Sequence, residues 1–161
     1  MKPIVLATDG SPSAAEATLE AVALAQAFDT PLLAITVELA ATPGHGYYGA
    51  ADLVAELRKL ERDHVEETLA QTKAVATEAG VECEIVHGTG PVAEVIGRLA
   101  AERDARMIVI GAHGWGPVRR LLHGSVSAAV LHEAHCPVLV VRGGPELLAD
   151  GIAPAYEAAA R

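Results

Sequence analysis

Gly111-Ala112-His113-Gly114, followed after nine residues by Gly124-Ser125, has the residue types and spacing of a phosphate cradle. The apolar run Met107-Ile108-Val109-Ile110 precedes it, and Val126-Ser127-Ala128-Ala129-Val130-Leu131 follows. That order reads as buried strand, glycine loop, helix start. Glycines let backbone N–H groups approach an anion closely, and a helix N-terminus adds partial positive charge. The loop also carries His113, Arg119, Arg120 and His123 and no acid, although the chain as a whole has a net charge of −9. A local cationic excess is what an anionic ligand needs. A plain connecting loop, with Arg119 and Arg120 as a solvated face, stays open beside this.

A second candidate is Asp9, in Thr8-Asp9-Gly10-Ser11-Pro12 at the end of the first apolar run. An aspartate there can meet a ligand or simply form a turn or cap a helix. Other nucleotide signatures are missing from the sequence. No GxxxxGK[ST] occurs, and none of the lysines (Lys2, Lys59, Lys73) follows such a loop. The first strand is not followed by GxGxxG. His87-Gly88-Thr89-Gly90 reads as a strand-to-helix turn with Pro91 opening the helix. His132, His135 and Cys136 fall where a helix ends and HExxH is absent, so neither a metal site nor a catalytic residue is assigned.

The elements that must position these residues alternate. Ile4–Ala7 is a short continuous apolar strand, and Ser11-Pro12 supplies an N-cap and a first-turn proline for a helix running from Ala14 to Phe28. Its apolar stripe is read as Ala15, Leu19, Val22 and Ala23. Residues 31–37 form a second strand and 40–50 a loop rich in glycine and proline. A long charged surface helix covers 51–79, stopped by Gly80. Residues 81–87 alternate in polarity, which suggests a strand at an edge. A helix opened by Pro91 runs to Glu102. A strand at 106–110, a helix over 126–132 and a strand at 137–141 complete the pattern. This is a doubly wound parallel α/β sheet with right-handed crossovers. Its ligands sit at the strand carboxyl ends, where the winding reverses.

Length and composition agree. The 161 residues suffice for one domain, and with only 3% aromatics the core must be aliphatic, as suits a sheet between helix layers. The negative charge argues against a nucleic-acid or anionic-membrane partner. No apolar run is long enough to span a membrane and no signal peptide is evident. Cys83 and Cys136 form no CxxC and read as buried thiols of a cytoplasmic protein.

On three segments the chain resembles the universal stress protein family. These are Ile4-Val5-Leu6-Ala7-Thr8-Asp9-Gly10-Ser11, the G-x2-G-x9-G-[ST] loop from Gly111 to Ser125, and Cys136-Pro137-Val138-Leu139-Val140-Val141-Arg142. The resemblance implies a Rossmann-like sheet of five parallel strands in the order 3-2-1-4-5 (adenine nucleotide alpha hydrolase-like). It covers a domain at 1–142 and leaves a tail at 143–161. It further implies an adenine nucleotide ligand, ATP with Mg2+, held in the family's ATP-binding branch. Asp9 would lie near adenine and ribose, with a backbone group of Val37 reading the adenine edge. Gly111, His113 and Gly114 would border ribose and phosphates, and Gly124, Ser125, Val126 and Ser127 would wrap the phosphate tail.

One departure stands out. Where the family often has serine or threonine and then arginine, this chain has Ala112-His113, which points to a weaker or pH-dependent grip on phosphate. The implied role is a cytoplasmic regulatory or protective stress-response module, dimeric through Val138–Val141, with no catalytic role beyond slow ATP hydrolysis. A slow ATP hydrolase, a binder of AMP or cyclic AMP, and a dimeric scaffold without nucleotide are the alternatives.

Overall fold

The computed structural model describes residues 1–38, 51–112 and 125–142, except for the side chains of 51–55, 57, 58 and 61. Five strands and four helices alternate: β1 (Ile4–Ala7), α1 (Pro12–Phe28), β2 (Leu32–Glu38), α2 (Ala51–Glu78), β3 (Cys83–Thr89), α3 (Val92–Glu102), β4 (Met107–Gly111), α4 (Ser125–Glu133) and β5 (Val138–Val141). The strands form one sheet in the order β3-β2-β1-β4-β5, every neighbouring pair parallel. The sequence-based fold class and strand order are therefore found. The winding reverses between β1 and β4, and their ends meet in the register Ala7 opposite Ile110.

Each strand feeds two cores because successive side chains point to opposite faces. Ile4, Leu6, Leu32, Ala34 and Val109 pack with α1 and α2 on one face. Val5, Leu33, Ile35, Ile108 and Ile110 pack with α3 and α4 on the other. All four residues of β1 are buried, as a central parallel strand requires.

The helices follow from local sequence. Ser11 caps α1, its Oγ accepting from the Ala14 amide at 3.3 Å, with Pro12 in the first turn. The face that α1 buries is Ala14, Ala17, Thr18, Ala21 and Ala25, with Ala15 and Val22 at its margins. The expected stripe is rotated: Leu19 is only half-buried and Ala23 is exposed. Small side chains win the inner positions because they let the helix lie close on the sheet. Thr18 can join them because its hydroxyl donates to the Ala14 carbonyl at 2.9 Å.

Along α2, Val65, Thr68, Leu69, Thr72, Val75 and Ala76 are buried at helical spacing. Its C-terminus is a Schellman closure: the Val81 amide donates to Ala76 O at 2.8 Å and the Gly80 amide to Thr77 O at 3.0 Å, with Gly80 at φ +72°. That closure consumes Val81, so β3 begins at Cys83 rather than at 81 and runs on to Thr89 opposite Glu38. As its alternation suggested, β3 is an edge strand. Glu84 on it is gripped by both terminal nitrogens of Arg103, at 2.7 and 2.8 Å. At the opposite edge, β5 is Val138-Leu139-Val140-Val141, with Leu139 exposed.

Candidate functional site

Beyond β1 the chain turns sharply through Thr8-Asp9-Gly10-Ser11 at the carboxyl end of the sheet. Hydrogen bonds from β2, from α2 and from its own residues fix the turn. Thr36 Oγ1 on β2 donates to the Thr8 carbonyl at 2.8 Å, and the Gly10 amide donates to Thr8 Oγ1 at 3.4 Å. The Ser11 amide donates to Asp9 Oδ1 at 3.0 Å, closing an Asx turn. His64 Nε2 on α2 lies 3.3 Å from the Asp9 carbonyl, an acceptor that assigns the ring proton to that nitrogen. Gly10 takes φ +73°, and a Cβ on it would meet Thr68 Oγ1 at 2.5 Å and His64 Nε2 at 3.0 Å. The Asp9 carboxylate is thus both a turn former and an exposed group beside the winding reversal.

Next to it, β4 ends at Gly111. A Cβ there would strike Ser13 of α1, at 2.7 Å from Oγ and 2.8 Å from the backbone carbon and oxygen. Gly111 therefore has a packing reason to be glycine, in addition to any ligand. Ala112 is fully buried, and its amide donates to Val141 O of β5 at 2.7 Å. From α4, Ser127 is buried and its Oγ donates to the Ala112 carbonyl at 3.4 Å. This hydroxyl ties α4 to β4. Ser125 and Val126 stand exposed in the first turn of α4. The Ala112 departure from the family pattern thus falls on a side chain that points into the protein.

A cavity of about 510 Å³ opens along the start of α4, lined by Ser125, Val126 and Ala129 on that helix and by Pro91, Val92 and Glu94 at the start of α3. Its size lies within the range of small-molecule sites. Neither Asp9 nor Gly111 lines it, and it lies on the α3–α4 face. It flanks the helix starts and does not include the winding reversal between β1 and β4. The reversal is the stronger candidate, because the fixed Asp9 turn and the end of β4 meet there.

Of the residues singled out from sequence, the structure brings Asp9, Val37 and Gly111 to the strand carboxyl ends and Ser125, Val126 and Ser127 to the start of α4. His113, Gly114 and Gly124, with Arg119, Arg120 and His123, lie outside the described residues, as does the tail at 143–161. Sequence reasoning missed His64 and Thr68. Their signal was a histidine one turn before a threonine that sits on a buried helical stripe, but only the sheet order shows that this stripe reaches the Asp9 turn. The two thiols are remote from this end and, against the expectation of burial, only half-buried: Cys83 opens β3 and Cys136 precedes β5, and partial burial raises the pKa of both. Among the described residues no group of three His, Cys, Asp or Glu is placed to hold a metal ion, and no helix is long and apolar enough to cross a membrane.

Comparison with known proteins agrees with this arrangement. The model of the universal stress protein family matches residues 1–142. A universal stress protein of Methanocaldococcus jannaschii is 37% identical over 142 residues, covering 88% of this chain and 82% of the relative. Universal stress protein UspA from Lactobacillus plantarum has the same fold, with a TM-score of 0.76 at 24% identity, covering 88% of this chain and 97% of its own. A universal stress protein solved in complex with cAMP is 26% identical with a TM-score of 0.68, covering 89% of this chain and 98% of its own. A five-strand sheet wound 3-2-1-4-5, the Asp9 turn at its reversal and a match over residues 1–142 lead to one assignment: the chain belongs to the universal stress protein family.

Proposed function

We propose that this protein binds an adenine nucleotide, ATP with Mg2+ foremost, in the crevice at the carboxyl ends of β1 and β4, and acts as a nucleotide-dependent stress-response module. One observation carries the reading. The winding reversal brings the Asp9 turn beside the end of β4, while the Ser127–Ala112 hydrogen bond holds the N-terminus of α4 against that same strand end. A carboxylate can accept from ribose hydroxyls or adenine, and free amides at a helix start suit phosphate. A relative solved with cAMP supports the adenine nucleotide class.

The residues fit such a ligand. Asp9 would face the nucleoside, and Ser125 and Val126 the phosphates, with Gly114 and Gly124 completing the cradle. Binding without fast turnover is the reading for activity. Hydrolysis needs a base beside the γ-phosphate, and the Asp9 carboxylate is engaged in its own turn at the nucleoside end. The protein works in the cytoplasm as a dimer, β5 pairing with its copy across a two-fold axis to cover an exposed edge.

Isothermal titration of purified protein with Mg-ATP, ADP, AMP and cAMP tests the proposal. Binding of at least one of them in the micromolar to millimolar range, abolished in Gly114→Trp, is expected. A parent protein silent to all four, or a Gly114→Trp variant that binds as the parent does, refutes it.

A further inference from the structure

We propose that His64 is a positioning residue of the nucleotide site, holding the Asp9–Gly10 peptide in the orientation that presents the Asp9 carboxylate. The proposal rests on the nucleotide reading above. The two polar atoms of that single peptide unit are both engaged: its carbonyl by His64 Nε2 at 3.3 Å, its N–H by Thr8 Oγ1 at 3.4 Å. Asp9 Oδ1 then receives the Ser11 amide at 3.0 Å, so the tilt of the peptide and the aim of the carboxylate are mechanically linked.

The contact is built by sequence at both ends. On α2, His64 lies one turn from buried Thr68, which faces the same glycine. On the turn, Gly10 alone lets the helix approach, because a Cβ would lie 2.5 Å from Thr68 Oγ1 and 3.1 Å from His64 Cε1. A positive φ accounts for glycine at many turns, but here the residue also clears a path for a side chain from another element. The imidazole donates through one fixed nitrogen without requiring a charge, which a lysine could not do. His64 is itself exposed, so its role is not that of a core residue.

The test compares the parent, His64→Ala and His64→Gln by titration with Mg-ATP, AMP and cAMP, alongside thermal melts. The amide of glutamine can reach the position of the imidazole Nε2 and restore the bond. The expected result is a loss of affinity of about 5- to 10-fold in His64→Ala, the size of one ordinary hydrogen bond. His64→Gln should return to within about twofold of the parent, with all three melting alike. An alanine variant with parental affinity, or a glutamine variant as weak as alanine, overturns the role of His64 and leaves the nucleotide reading standing. A parent that binds none of the three overturns both.

Discussion

Replacing Gly111 by alanine isolates what that glycine does. A new Cβ would lie 2.8 Å from the carbonyl carbon and oxygen of Ser13. Relief to an ordinary contact of 3.4 Å means a displacement of about 0.6 Å, the difference of the two distances. Backbone atoms have no rotamer to escape into, so the first turn of α1 must move. That turn is held by the Ser11 cap and by Ser13, which is itself buried. Overpacking of this kind costs about 1–3 kcal/mol. It exceeds the roughly 0.5–1 kcal/mol that replacing a strand glycine otherwise gains. The midpoints of the two ranges leave a net loss of about 1 kcal/mol, so at about 2–4 °C per kcal/mol for a domain of this size the melting temperature should fall by about 2–4 °C. Urea and thermal melts give the stability, and titration with Mg-ATP at low temperature gives the affinity of the folded fraction. A variant as stable as the parent would refute the packing argument. Lost binding at full stability would show that the glycine is there for the ligand alone.

Two further outcomes follow from the helix ends and the sheet edge. Asp29 closes α1 in the left-handed region at φ 48°, where glycine is at ease, so Asp29→Gly should raise stability in a urea melt by up to about 1 kcal/mol. The Glu84 pKa is lowered by its hydrogen bonds to Arg103 and then by the charge of that residue. A carboxylate depressed on folding contributes stability above its unfolded value of about 4.3 and loses it as the pH falls through the lower folded value. Glu84→Gln should therefore melt below the parent at pH 7 and together with it at pH 2. A gap that persists in acid would contradict the ion-pair account.

Much of the fold was legible because its signals are local. Ser11-Pro12 announces a helix start, Gly80 a helix stop, and the unbroken Ile4–Ala7 run a central strand. The alternation of Glu82 and Glu84 with Cys83 and Ile85 marked an edge correctly. Other features were not legible. The inner face of α1 depends on how closely the helix lies on the sheet, so alanines and Thr18 displace Leu19 and Ala23 from positions that hydrophobicity favours. The docking of α2 on the Asp9 turn joins residues 55 positions apart in the chain, and no periodicity within either element encodes it. Of the residue types singled out for the site, Asp9 follows β1, Gly111 ends β4 and Ser125 opens α4, positions that their flanking sequence made readable. That Ser127 ties α4 to Ala112 could only be seen once β4 and α4 were placed together.

The two margins of the sheet are unlike. On β3 the flank bristles with Glu84, His87 and the Arg103 clamp, whereas β5 offers aliphatic side chains and not one charge. In the proposed pair, two molecules joined along β5 would turn their bristling flanks outward and leave no landing place for a third. The charged fork on β3 would then bound the stoichiometry of that proposed assembly, stopping it at a pair rather than a fibre.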